Sequence, residues 1–574
     1  MVVQRDLLAL ANTEHDVLII GGGIFGVCAA WDAVLRGFSV GLIEKGDFCS
    51  RTSANSFRIV HGGIRYLQHG DLVRVRASCR ERTALLRTAP HLVQPLPIVV
   101  PTYGHGKNSR WFLAAGVLAY SFLTLDRNWF IRDPARQIPW GRLLSRREVL
   151  ELFPSLDSEQ LTGAVEFFDG QMYNPTRLAI SFLRSAVAAG TKAANYVKAT
   201  KFLRQGNRIV GVEAEDALSG DVLEVRAKTV LNAAGPWAED LLVHGLKVPL
   251  QRRTPYSRDA CFVLNRLPPH DRALALQSQT KDPDALLSRK ARHLFIVPWR
   301  DRIIVGVWHK VCDSDPDRVD FSVSELDAYI KELNWAYPAF QLKQQDISFW
   351  NAGLLPFGEN ASDAKDLSYG KRSILIDHWH EDQLAGLVTL IGVRYTMARR
   401  DAARAIDIVA AKLGCRAPRP LTHRLPVHGG NIDDFQDFIK QTIKSQGQRL
   451  MPKVTRALVH NYGSEYQRVL HYAQDNGELL ETIGHSTVIK AEVLHAVREE
   501  GAIKLSDVVL RRTDLGTAGY PGDEALSICG KLMTKDLAWK EARLEQEIEE
   551  VRQVYNRSGL FREAAGTCDN TFAG

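Results

Sequence analysis

Asp16-Val17-Leu18-Ile19-Ile20 runs directly into Gly21-Gly22-Gly23-Ile24-Phe25-Gly26, and Val27 to Arg36 follows before Gly37. A short apolar run is what a strand buried on both faces of a parallel sheet requires. The stretch after the glycines reads as a helix ended by Gly37, and Phe38 to Glu44 reads as a second strand. Together they make one βαβ unit. Each glycine has its own task. Gly21 permits the tight turn, Gly23 lets the backbone approach a pyrophosphate, and Gly26 lets helix and strand pack closely. The helix N-terminus presents unpaired N–H groups to an anion. Glu44, at the end of the second strand, stands where a ribose hydroxyl needs an acceptor. Strand, turn, helix and acid in this order predict a dinucleotide site.

Further nucleotide-domain segments resume far along the chain, at Val230-Leu231-Asn232 and Leu387 to Ile391. A domain assembled from distant pieces suits a long cofactor lying across it, which favours FAD over NAD. Between those pieces the texture changes. Ala194 to Arg226 alternates as short strands with turns at Gln205-Gly206-Asn207 and Ser219-Gly220. Asp71 caps a predicted helix running to Ala89, Pro95 to Pro101 reads as a strand, and His293–Trp299 with Arg302–Trp308 reads as a hairpin. A helix is predicted from about Arg400 to Leu413, and beyond His428-Gly429-Gly430 the chain is helical and charged. In its last helix Leu537, Leu544, Ile548, Val551 and Tyr555 form one apolar face. The expected fold is α/β: a Rossmann-like FAD-binding domain (residues 14–70, 161–245 and 385–425), a mixed-sheet substrate domain (71–160 and 246–384) and a C-terminal helical domain (432–560).

Composition excludes several classes. The 574 residues are 45% hydrophobic and 24% charged, as in soluble globular proteins. The eight cysteines form no Cys-x-x-Cys pair, so neither a zinc or iron–sulfur site nor a secreted disulfide scaffold is expected, and a reducing cytoplasm is the simplest home. His69, His91 and His105 read as dispersed loop histidines, and no metal is expected. The net charge of +7 suits an anionic substrate or membrane surface but is too small for nucleic acid. The N-terminus carries no signal-peptide pattern. Trp111 to Leu125 is the longest apolar run. It is too short to span a bilayer, which takes about 20 residues. It reads as a buried helix, the alternative being a membrane-dipping one flanked by Arg110 and Arg127.

Four further motifs carry a family resemblance over nearly the whole chain. Ser53-Ala54-Asn55-Ser56-Phe57-Arg58-Ile59-Val60-His61-Gly62-Gly63-Ile64-Arg65-Tyr66-Leu67 resembles the signature of the FAD-dependent glycerol-3-phosphate dehydrogenases, within the D-amino-acid-oxidase-like flavoproteins. Asn232-Ala233-Ala234-Gly235-Pro236-Trp237 and Gly392-Val393-Arg394-Tyr395-Thr396-Met397-Ala398-Arg399 resemble that family's second and C-terminal flavin motifs. Leu510-Arg511-Arg512-Thr513-Asp514-Leu515-Gly516 resembles its helical C-terminal domain. The resemblance implies oxidation of a small phosphorylated alcohol to the ketone, with hydride passing to the flavin and electrons to a quinone or to oxygen. It implies noncovalent FAD held by Gly21, Gly23, Gly26, Glu44, Lys45, Ser53, Val197, Ala234, Gly235, Trp237, Gly392 and Thr396. His61, Arg65 and Arg394 are the implied catalytic residues, with Tyr66 beside the substrate. Peripheral attachment to the inner face of the cytoplasmic membrane is also implied.

Three positions depart from the family pattern. Leu355 replaces an arginine that helps hold the phosphate, Ala260 replaces a histidine, and Tyr173-Asn174-Pro175-Thr176-Arg177 replaces an Asp-Asp-Ala-Arg stretch. Arg258, Lys371 and Arg372 are the candidates to compensate. The alternative reading keeps the flavin and changes the substrate to another hydroxy compound or an amine. The oligomeric state is not encoded in these motifs.

Overall fold

The computed structural model describes residues 2–104, 110–154, 156, 159–246, 254–278, 293–312, 316–317, 319, 321–356, 372–416 and 418–556. Arg252, Arg253, His105, Lys371 and the last eighteen residues lie outside them, as do the side chains of Arg65 and His69.

The apolar run at the start forms strand His15–Ile20, the turn follows, and helix Ile24–Leu35 leads to strand Val40–Ile43. These strands pair in parallel, Val17 opposite Val40 and Ile20 opposite Ile43. On the other side His15–Ile20 pairs in parallel with the end of strand Val222–Asn232, which pairs in turn with Leu387–Ile391. All five residues of Leu387–Ile391 are buried, as a two-sided strand must be. The sheet runs Ile374–Asp377, Leu387–Ile391, Val222–Asn232, His15–Ile20, Val40–Ile43, Lys192–Ala194. The alternating stretch forms strands Val197–Gln205 and Arg208–Asp216, an antiparallel meander on the first half of Val222–Asn232. Helix Ile24–Leu35 packs between helices Pro175–Ala188 and Ala398–Lys412 over this sheet.

The second sheet has nine strands, mostly antiparallel. Two of its members were assigned on sequence to the cofactor domain. Leu161–Met172 pairs with Val93–Tyr103, and Ile59–Val60 pairs with Leu161–Met172. Conversely Ile374–Asp377, placed on sequence with the substrate domain, extends the first sheet. Pairing with strands remote in sequence decides the first two memberships, and antiparallel pairing with the neighbouring Leu387–Ile391 decides the third.

Two helical expectations also change. The last helix is interrupted at Ala538, whose φ of 51° is left-handed, so Leu537 ends helix Asp523–Leu537 and the other four residues lie on Glu541–Asn556. The apolar run forms helix Arg110–Leu123, which buries only Val117, Tyr120 and Ser121. Trp111 is 74% exposed and Phe122 58%, so this is no buried core helix. The helix lies on the substrate sheet by one narrow edge, and Trp111, Leu118 and Phe122 on its other face stay exposed.

Candidate functional site

A cleft of about 700 Å³ opens along the carboxyl ends of the first sheet's strands, where open α/β sheets bind ligands. The glycine turn forms its floor. Gly21 has a φ of +105°, which excludes a side chain, and a Cβ on Gly26 would collide with the Gly21 carbonyl oxygen. That collision is the physical reason for the close strand–helix packing expected there. Glu44 faces the cleft, and its carboxylate accepts the N–H groups of Gly22 at 2.6 Å and Gly46 at 2.9 Å. Burial raises its pKa, partly offset by those N–H groups. Ser53 Oγ accepts the Ile24 N–H at 3.0 Å, which brings the residue onto the helix N-terminus. Asn232, at its strand end, accepts the Ala234 N–H and donates to the Ala238 carbonyl, shaping the turn Gly235–Trp237. Lys45 Nζ sits 4.2 Å from the Trp237 ring centroid and 3.1 Å from Asp317 at the same end of the cleft.

His61 lines the cleft on a loop pinned from two sides. Its backbone N–H donates to Thr396 Oγ1 at 3.2 Å. The next N–H, of Gly62, donates to Asp169 at 2.5 Å, and Asp169 pairs with the buried Arg82 at 2.8 Å. A Cβ on Gly62 would strike the Tyr120 hydroxyl and Arg82. The paired glycines after His61 are thus a packing requirement over a buried ion pair. Arg394 also lines the cleft; it donates to the Tyr66 hydroxyl at 2.9 Å, and Arg74 stacks on the other residue's ring at 4.6 Å.

The cleft brings together Gly21, Gly23, Glu44, Lys45, Ser53, His61, Val197, Ala234, Gly235, Trp237, Gly392 and Arg394. Gly26, Tyr66 and Thr396 stand just behind its wall in the supporting contacts given above. Arg258 does not join them. It is buried against Glu325 at 2.8 Å and stacks on Phe321, on the strand face opposite to Asp259, because side chains alternate along Tyr256–Leu264. Glu325 is half-buried, and Arg258, with the Ser322 N–H, outweighs that desolvation and holds its carboxyl down at about 2. Arg372 is exposed and does not line the cleft. Leu355 and Ala260 do line it, so the departures from the family pattern fall in the site itself. The Tyr173–Arg177 stretch does not: Asn174 caps helix Pro175–Ala188, and Arg177 is buried against Glu500 at 2.5 Å. Sequence reasoning missed the roles of Asp169 and Asp317. A lone aspartate in a strand or loop carries no spacing signal, and each matters only through a partner remote in sequence.

A helix N-terminus at a glycine turn, a ribose acceptor and an elongated cleft reaching from Trp237 to His61 fit FAD. The comparisons agree. A family model described as FAD dependent oxidoreductase matches residues 16–379, and one described as the C-terminal domain of alpha-glycerophosphate oxidase matches residues 420–544. The chain is 32% identical to a glycerol-3-phosphate dehydrogenase of Synechocystis sp., over 97% of this chain and 99% of that one. It is 29% identical to glycerol-3-phosphate dehydrogenase 2 of Mycobacterium tuberculosis, over 94% and 88%. The fold is similar to that of a glycerol-3-phosphate dehydrogenase from Bacillus halodurans solved with FAD, with a TM-score of 0.74, 22% identity and 96% of each chain covered. Motifs, cleft and comparisons converge: the chain is an FAD-dependent oxidoreductase and belongs to the glycerol-3-phosphate dehydrogenase family of flavoenzymes.

Proposed function

We propose that this enzyme oxidises sn-glycerol 3-phosphate, or a closely related small anionic alcohol, to the ketone. The observation that carries the reading is full-length similarity to a glycerol-3-phosphate dehydrogenase, with His61 and Arg394 both on the wall of the cofactor cleft. FAD, when bound, supplies the hydride acceptor. His61 is the base: a neutral imidazole takes the hydroxyl proton as the carbon gives up its hydride. Arg394, oriented by the Tyr66 hydroxyl, holds the anionic end of the substrate, a role that the family resemblance extends to Arg65. Gly21, Gly23 and the first helical N–H groups take the pyrophosphate, Glu44 the ribose, and the Trp237–Lys45 end the adenine. FAD is held noncovalently, and electrons leave to a quinone or to oxygen.

The test is anaerobic mixing of the flavoprotein with sn-glycerol 3-phosphate. Flavin absorbance near 450 nm, roughly the band common to flavin cofactors, should bleach. If another hydroxy compound or an amine bleaches the flavin and the phosphate ester does not, the substrate assignment is wrong. A specific observation favours that second reading: Leu355 and Ala260 present no donor to a phosphate, and the Asp259 carboxylate lines the same cleft.

Peripheral docking on an anionic membrane completes the proposal. Trp111, Leu118 and Phe122 share one exposed face of helix Arg110–Leu123, joined by the exposed Leu125, Trp129 and Phe130. The exposed Arg132 and Arg147 stand nearby in the chain. Exposed apolar patches of this kind mark interfacial anchors. Among the described residues no helix is long and apolar enough to cross a membrane.

A further inference from the structure

None of the cleft-lining residues lies beyond Tyr395, so the C-terminal helical domain, among the described residues, contributes none of them. Its contact with the cleft wall is nevertheless direct. The segment from Glu44 to Ser53 supplies seven lining residues. That segment is clasped to the glycine turn, because the Cys49 N–H donates to the Gly22 carbonyl at 3.1 Å, and the Gly46 carbonyl accepts the Tyr196 N–H at 2.8 Å. Between these two anchors Asp47 turns away from the cleft, with a fully buried side chain. Arg512 grips its two oxygens at 2.7 and 2.8 Å, Arg511 Nε donates at 2.5 Å, and Asn195 donates at 3.0 Å. Arg511 is fixed in turn by Asp507 at 2.7 Å, which also accepts the Tyr196 hydroxyl at 2.6 Å. Burial alone would raise the Asp47 pKa; the two guanidiniums outweigh it and hold the group ionised.

We propose that Arg511 and Arg512 are positioning residues for the cofactor: through Asp47 they hold the Glu44–Ser53 wall in the shape that receives the adenosine half of FAD. A buried carboxylate stripped of its cations must protonate or move toward water. Asp47 cannot move without dragging Glu44 and Ser53, the ribose acceptor and the residue on the helix N-terminus. The inference rests on FAD as the cofactor; failure of the wild-type protein to bind FAD would strike that reading, whereas the comparison below strikes only this one.

The apoprotein is reconstituted with FAD, and the dissociation constant is read from flavin fluorescence quenching well below the melting temperature. Asp47→Asn should weaken FAD binding about tenfold or more, and Arg511→Lys, which keeps the charge but loses the fork, by several-fold. Glu499→Gln is the control. It weakens the pair with Arg184, which ties the same domain to helix Pro175–Ala188 away from the cleft, and the pair with Arg468 inside the domain. It should lower the melting temperature and leave FAD affinity within about twofold. Should Asp47→Asn fail to fold, Arg511→Lys and wild-type hydrogen exchange decide. Coupling is reciprocal, so FAD must raise amide protection across 503–513 as well as in the cleft wall. FAD affinity within about twofold of wild type in the folded variants, or protection confined to cleft-lining segments, would overturn the proposal.

Discussion

At the scale of single residues, the site separates chemistry from support. His61→Ala should lower kcat by about 10²- to 10⁴-fold, the range of a general base, and leave FAD content unchanged. Unaltered flavin reduction by substrate would remove His61 from the mechanism. Arg394→Ala should cost about 1.5–3 kcal/mol of transition-state binding, the worth of a charged hydrogen bond. That is roughly 10- to 100-fold in kcat/KM. Tyr66→Phe, which leaves the guanidinium in place but unoriented, should cost less. Equal losses in the two variants would mean that the tyrosine itself touches substrate. Gly62→Ala tests support. The added methyl meets Tyr120 and Arg82 over the Arg82–Asp169 pair. Overpacking of about 1–3 kcal/mol should therefore appear as a lower melting temperature, with reduced activity because His61 is displaced. The functional glycines were legible in sequence because backbone approach admits no substitute. Asp169 was not, since its meaning depends on a glycine 107 residues away.

At the scale of elements, local pattern served well where one element answers to one neighbour. The Asp71 cap, with its side chain accepting the Arg74 N–H at 2.9 Å, starts helix Leu72–Thr88 as its sequence suggests. The hairpin of His293–Trp299 and Arg302–Cys312 likewise forms. Helix Arg110–Leu123 shows the opposite case. Its composition suits a buried helix, yet its widest apolar face is exposed. Replacing Trp111 and Phe122 by serine should reduce partition onto anionic vesicles by about tenfold per residue, given about 1.5–3 kcal/mol for burying such a side chain, while flavin reduction in solution stays unchanged. Cosedimentation with the vesicles measures it, and equal partition of both proteins would show that this face does not dock.

At the scale of the whole molecule, the seam between the cofactor domain and the helical C-terminal domain carries the acid sensitivity. His91, read from sequence as a loop residue, is buried; His428 and His460 stand beside it, the latter donating to the His91 carbonyl at 2.8 Å. Burial, reinforced by neighbouring charges, puts His91 well below its ordinary 6.5. Burial and Arg184 take His428 to about 2. Burial takes His460 to about 3 despite the bond to His91. All three are neutral in the fold and titrate near 6.5 when unfolded. The stability they allow is therefore present above pH 6.5 and is lost as pH falls through it toward the folded values. Below about pH 6 the loss should approach 1.4 kcal/mol per pH unit for each histidine. Urea unfolding between pH 7.5 and 4.5 measures this slope. A flat profile would mean that all three are already protonated in the native state.

The sequence by itself determined the cofactor and the family. Glycines at a strand–helix turn and the His61–Leu67 motif are local and near-contiguous, and their chemistry tolerates few alternatives. Sheet membership, the exposure of helix Arg110–Leu123, the retreat of Arg258 to Glu325 and the grip of Arg511 and Arg512 on Asp47 were decided only by tertiary structure. Each depends on which distant residues burial brings together: a side chain's charge is written in the chain, but its partner is chosen by the fold, because a buried ion must find a counter-charge wherever the packing provides one.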